Sequence, residues 1–200
     1  MSWLQVFGDD RDRAALDRVL ERGVFAGLVA GAAMGVFAMA ASATYQGRGF
    51  FTPMYHAAII IDEQTMGVSI AKAGAGEPFY FFRETFIFGV IAYVMLGGML
   101  GAAFAVGARQ LRLRGPKVIA VGLAYALAVM VVMSFLVLPP AAELVGAGRP
   151  LSRMGAEVGW PTFVAQFAVF GLVLGGWAYK KPEHVGADRP RTTADPAVQS

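Results

Sequence analysis

Residues 23–44 read GVFAGLVAGAAMGVFAMAASAT, an unbroken apolar run with no ionisable side chain and with Gly27, Gly31 and Gly35 spaced four apart. A helix rises ~1.5 Å per residue and the hydrocarbon layer of a bilayer is ~30 Å thick, so about 20 such residues suffice to cross it. Three further stretches, 86–106, 118–138 and 162–179, are of similar length and equally free of charge. The lack of charge weighs more than the apolarity. A charge at mid-bilayer costs at least ~2.5 kcal/mol, and a helix lying on a soluble core would show a polar face. The expected fold class is therefore all-α, an integral membrane protein built as a bundle of four transmembrane helices. Residues 1–22 form a cytoplasmic N-terminal segment in this reading, 23–179 the membrane domain, and 180–200 a disordered cytoplasmic tail too rich in proline and charge to bury a core.

Composition agrees. Of 200 residues 56% are hydrophobic and 16% charged, where a soluble domain carries about 25% charge. A net charge of +3 is too small for a nucleic-acid surface, so nucleic acid is not expected as a partner. With no cysteine in the chain, disulfides, thiolate nucleophiles and iron–sulfur clusters are excluded. Lysines and arginines divide unequally between the two sides of the four spans. Arg11, Arg13, Arg18, Arg22, Arg109, Arg112, Arg114, Lys117, Lys180, Lys181, Arg189 and Arg191 lie on one side, and Arg48, Lys72, Arg83, Arg149 and Arg153 on the other. Cytoplasmic loops hold the excess, which predicts a multi-pass protein of the cell (inner) membrane with both termini in the cytoplasm. Ala41-Ser42-Ala43 has the small residues of a signal-peptidase site, but the segment before the apolar run is long and holds Asp9, Asp10, Asp12, Asp17 and Glu21. A secretory leader starts short and positive, so an uncleaved first span is expected.

Apolar burial gives helices in lipid little reason to associate, so close packing depends on small residues. Gly27, Gly31 and Gly35 in the first span, Gly97 and Gly101 in the second, and Gly171 and Gly175 in the fourth are each four apart on one helix face. They predict a compact bundle. In the outer loops Thr52-Pro53 and Pro139-Pro140 precede short semi-apolar segments, 54–61 and 141–145. Too short to cross, these are expected as interfacial helical pieces, with Thr52 as N-cap and Pro53 in the first helical position. Aligning the second span on the fourth pairs Glu84 with Glu157 and Gly98 with Gly171. This raises the reading of a duplicated helix hairpin.

If Pro53 is matched to Pro140 under that duplication, His56 stands opposite Glu143. His56, Glu84, Glu143 and Glu157 then become a candidate metal or proton site at the outer mouth, since imidazole and carboxylates suit both divalent metals and proton relay. The competing reading is ordinary. Glu84 and Glu157 precede helices whose N-terminal dipole favours a negative charge, and Arg83, Arg149 and Arg153 stand ready as ion-pair partners. His184 falls in the tail and takes no role. The polar side chains within spans, Ser42, Thr44, Tyr93, Tyr125, Ser134 and Gln166, are expected to hydrogen-bond between helices.

The stretch Gly47-Arg48-Gly49-Phe50-Phe51-Thr52-Pro53, the glycine-spaced first helix, the exit from Ser134-Phe135 to Pro139-Pro140, and Glu157 before the fourth span are similar to features of YagU-like proteins. These are small bacterial four-helix inner-membrane proteins linked to acid resistance. The resemblance implies the same fold and location. It departs where that family has a histidine near the outer starts of the second and fourth spans, since this chain has Pro161 and no histidine near Glu84.

No phosphate loop, His-Glu-x-x-His or GxSxG motif is present, so no catalytic residue and no cofactor is expected. The expected function is non-enzymatic: a scaffold or accessory subunit of a membrane complex, partnered by the bilayer and by a membrane protein or further copies of itself. The alternative is a proton, metal or small-solute handling protein using the His56 and carboxylate site.

Overall fold

The computed structural model describes residues 10–146 and 148–180, and every regular element among them is helical. Four helical runs, Arg13–Thr44, Arg83–Gln110, Lys117–Val145 and Trp160–Ala178, are long and apolar enough to cross a membrane. Most of the tail expected over 180–200 lies outside the described residues, as do residues 1–9 and His184.

The first helix, α1, runs without interruption from Asp10 to Thr44. No break falls at residue 22, where charged sequence gives way to apolar sequence. Alternating acids and bases support a helix, and no proline intervenes. After α1, α2 spans Thr52–Ala57 and α3 spans Glu63–Gly74. The N-cap of α2 is Phe51, not Thr52 as expected. The Thr52 hydroxyl is instead 2.9 Å from Ser69 Oγ and ties α2 to α3. The α3 helix, which the sequence reading missed, is capped by Asp62, whose carboxylate accepts from the Gln64 and Thr65 N–H groups. Asp62 also accepts from the Thr85 hydroxyl at 2.7 Å. These bonds, led by the Thr65 hydroxyl, hold its carboxyl below the usual aspartate range.

Helix α4 covers Arg83–Gln110, with Glu84 in its first turn and Arg109 in its last, each sign matched to the helix dipole. Helix α5, Lys117–Val132, continues through a π-turn at Met133–Val137 into α6, Leu138–Val145. The expected separate segment 141–145 is thus the end of the third long helix. Pro139 and Pro140 lack N–H groups and crowd the preceding turn, and the wide π-turn immediately before them lets the helix continue. Two short pieces, α7 (Gly148–Ser152) and α8 (Met154–Val158), lead into α9, Trp160–Lys180.

The long helices pack as two antiparallel pairs. In the first, Gly27 and Gly31 of α1 meet the α4 backbone. A Cβ at Gly27 would fall on the Gly97 carbonyl oxygen and 2.8 Å from Gly101 Cα, and one at Gly97 would lie 2.6 Å from the Gly27 oxygen. In the second pair, a Cβ at Gly122 of α5 would lie 2.7 Å from the Gly171 oxygen and 2.9 Å from Gly175 Cα of α9. Gly35 faces Met54 of α2 and Tyr93 of α4. The seam glycines of α4 and α9 thus correspond one residue away from the register that pairs Glu84 with Glu157. Between the pairs, Ala26, Ala30 and Met34 of α1 join Phe163, Phe167, Phe170 and Leu174 of α9 in one core. Backbone also rests on backbone where α2 crosses α4: a Cβ at Gly89 would be 2.7 Å from the Met54 carbonyl carbon. The buried Tyr55 fixes this crossing by donating to Tyr80 O (3.1 Å) and accepting from Phe82 N (2.8 Å).

Replacing Gly101 by Val is expected to cost about 1–3 kcal/mol through overpacking against α1, measured by reversible unfolding in mixed detergent. Gly107→Ala, where no atom lies within 4 Å of the added Cβ, is expected to be neutral or to stabilise by about 0.5–1 kcal/mol through helix propensity.

Candidate functional site

Helices α1 and α9 are tied at one end by Gln46, whose amide nitrogen donates to Val158 O at 2.6 Å and to the Thr162 hydroxyl at 2.9 Å. Tyr45 reaches the same hydroxyl at 3.0 Å. Because the helices are antiparallel, Ser42 and Gln166 lie one turn further in and on a level with each other. The Ser42 hydroxyl is spent on Gly49 O at 2.8 Å, inside the loop that follows α1. The Gln166 side chain is 3% exposed and has no hydrogen-bond partner among the described residues.

Gln166 lines a partly open cavity of about 240 Å³ bordered by α1, α2, α4, the π-turn region, α7, α8 and α9. Arg48, His56 and Thr162 line its polar end, and Met34, Leu100, Phe167 and Phe170 its apolar floor. Tyr93 also lines it, and its hydroxyl likewise makes no hydrogen bond among the described residues. No side-chain polar atom among the described residues is both sealed and unpaired, so the Gln166 amide and the Tyr93 hydroxyl each keep contact with open space, and both residues line the cavity. A shallower depression shares Gln46, Arg48, Val158 and Thr162 with the cavity and adds Glu157, forming its mouth. Arg48 is half-buried there, and its guanidinium makes no hydrogen bond or ion pair among the described residues.

His56 is 5% exposed, and its Nε2 lies 3.0 Å from the carbonyl oxygen of Pro150. A carbonyl only accepts, so Nε2 carries the proton, and in the neutral ring Nδ1 is a bare acceptor. Burial pushes the imidazole below its ordinary value of 6.5. The Pro150 bond opposes this, the Arg48 charge adds to it, and the Glu157 charge opposes it.

The four residues expected to form the outer site are thus distributed unevenly. His56 lines the cavity, and Glu157 lies exposed at its mouth, near enough for its charge to act on the imidazole. Glu84 and Glu143 are exposed on α4 and α6, and neither lines the cavity. Among the described residues no three His, Asp or Glu side chains gather as a metal-binding set. Of the polar span residues, Tyr125 bonds between helices as expected, to Leu100 O at 2.9 Å. Thr44 and Ser134 bond back to their own helices, to Ala40 O and Met130 O. The sequence reading gave no site role to Gln46, Arg48 or Gln166. For Gln166 the signal was available: an amide alone in an apolar span must find a partner or line a polar space. Comparison with family models, with curated proteins and with solved structures returned no match.

Two outcomes follow from this geometry. A histidine that binds its proton less readily when folded contributes stability that is complete above about pH 6.5 and is lost as pH falls through the window below it. Tm is therefore expected to drop between about pH 7 and pH 5, and His56→Gln to flatten that segment of the Tm–pH curve. Gln166→Leu in ligand-free protein is expected to raise stability by about 1 kcal/mol in the same assay, because it removes an amide left without a partner.

Proposed function

We propose that this chain is a multi-pass protein of the cell (inner) membrane, with four spans packed as one bundle and both termini cytoplasmic. In this reading it handles a small solute by binding it between the helices, without catalysing a reaction. The single observation that carries the binding reading is the cavity with its unpartnered Gln166 amide. The orientation is supported by the surplus of lysine and arginine at the ends where α1 begins, α4 ends and α9 ends. The loop resembling YagU-like proteins, residues 47–53, supplies Arg48 and Thr52 to the cavity wall, so kinship with that group belongs to the same reading.

The accessory-subunit reading drew on the glycine seams, and those surfaces are occupied by the chain's own helices. It keeps the exposed apolar faces of the long helices, which lipid covers equally well. Metal or proton handling has less support than solute binding, because among the described residues His56 is the one buried histidine or acid that lines the cavity, and Glu157 beside it is exposed.

Cysteines introduced singly at Gly47 and Arg114, in a chain with no native cysteine, test the orientation. An impermeant thiol reagent should label Gly47→Cys in intact cells and Arg114→Cys only after permeabilisation, and the reverse pattern overturns it. The binding reading predicts that at least one solute in a broad thermal-shift panel stabilises the protein, by about 2.7 kcal/mol at a hundredfold excess over Kd. That shift should shrink in Gln166→Leu. A panel that leaves Tm unmoved, in detergent and in bilayer nanodiscs alike, removes the reading.

A further inference from the structure

Among the described residues that line the cavity, Arg48 is the one with a permanent charge. It is half-buried, and its guanidinium makes no hydrogen bond or ion pair among the described residues. Glu157 borders the shallower depression and not the cavity, and it is exposed. Arg48 lines both, so it stands where the cavity meets its mouth. Burial leads in pushing the His56 imidazole down and the Arg48 charge adds to it, which sets the guanidinium close enough to this cavity residue to act on it. A guanidinium that has given up part of its hydration without gaining a counter-ion is the group with which an anion would pair.

The backbone that carries Arg48 is held in place. Its N–H donates to Ser42 O at 3.1 Å, and the Ser42 hydroxyl donates to Gly49 O at 2.8 Å. Gly47 before it takes a φ of +62°, and a Cβ at Gly49 after it would lie 3.0 Å from Thr52 Oγ1. The charge is therefore mounted on a fixed loop. Further in, the cavity changes character. Along α9 the lining runs from Thr162 through Gln166 to Phe167 and Phe170, about 12 Å at the rise of a helix. Met34 of α1 and Leu100 of α4 add to the apolar part. One cation at the opening, one unpartnered amide within and an apolar wall beyond suit a single negative charge on an apolar body.

We infer that the cavity binds a small monocarboxylate with an apolar body, the carboxylate paired with Arg48 and the body lying against the apolar wall. The inference rests on the binding reading proposed above, and it adds the charge and chemical class of the ligand. A planar carboxylate accepts two parallel bonds from a guanidinium. A phosphate monoester carries about two charges, one of which would go unneutralised beside a single arginine, and a cation would meet repulsion. A volume of about 240 Å³ lies below the usual range of ligand pockets, so the body is small.

The test titrates the full chain in nanodiscs, with empty nanodiscs as the blank, against octanoate and phenylacetate, and against octanol and octylamine as ligands of like body and different charge. At least one carboxylate is expected to bind about tenfold more tightly than octanol and octylamine. Arg48→Gln should cancel that preference without lowering Tm, because the side chain has no partner to lose, and Arg48→Lys should keep part of it. Glu157→Gln changes the other charge at the mouth and should not weaken binding. Failure of both carboxylates to bind, octanol binding as tightly as octanoate, or a carboxylate preference that survives Arg48→Gln overturns the inference. Palmitate brings the same head from the bilayer, and Arg48-dependent binding of palmitate in preference to octanoate overturns the assignment to a small ligand. If both carboxylates fail while an uncharged solute gives a Gln166-dependent thermal shift, the binding reading stands without this inference. If no solute of any charge shifts Tm, both fail.

Discussion

Backbone contact between α1 and α4 is the constraint from which the rest of the arrangement follows. At Gly27, Gly97 and Gly101 there is no room for a single carbon atom, so these helices approach as closely as the fold permits. With α5 and α9 doing the same at Gly122, Gly171 and Gly175, the protein consists of two narrow helix pairs. What joins the pairs is different in kind. Alanines of α1 face a column of phenylalanines on α9. Large rings against small side chains fill space well at their own level and hold the helices further apart. The cavity lies alongside that column, with Gln166 between Phe163 and Phe167 in its wall.

The same contrast explains why α2 matters. It lies on α4 at Gly89 with its Met54 carbonyl against the helix, and so carries His56 inward to the cavity wall. Tyr55 and Asp62 anchor the two ends of this crossing to the segment before α4 and to Thr85. The polar end of the cavity is therefore built from a loop pinned at three places.

Much of the architecture could be read from the sequence because charge exclusion and four-residue glycine spacing are local signals. The four long helices and the glycine grooves on α1, α4 and α9 come directly from them, whereas which groove faces which does not. Boundaries set by competition were harder to see. Thr52 gave up its capping role to bond Ser69, and Pro139-Pro140 ended nothing because a π-turn absorbed them. The site depended on three-dimensional facts that no spacing encodes. Internal alignment singled out Glu84 and Glu143, which are exposed, and passed over Arg48. What distinguishes Gln166 and Tyr93 from the other polar span residues is the lack of a hydrogen-bond partner among the described residues, and that is visible only once their neighbours are in place.

The unbroken run of α1 from Asp10 to Thr44 gives the molecule a mechanical character. At ~1.5 Å per residue the helix is roughly 50 Å long, well beyond the ~30 Å of a bilayer's apolar layer. It contains neither a proline nor a π-turn to act as a hinge. A force applied to its charged first turns is therefore transmitted along a stiff rod clamped by α4. The far end of that rod holds Ser42 and leads directly into Gln46, so a tilt at one end becomes a displacement of the mouth at the other.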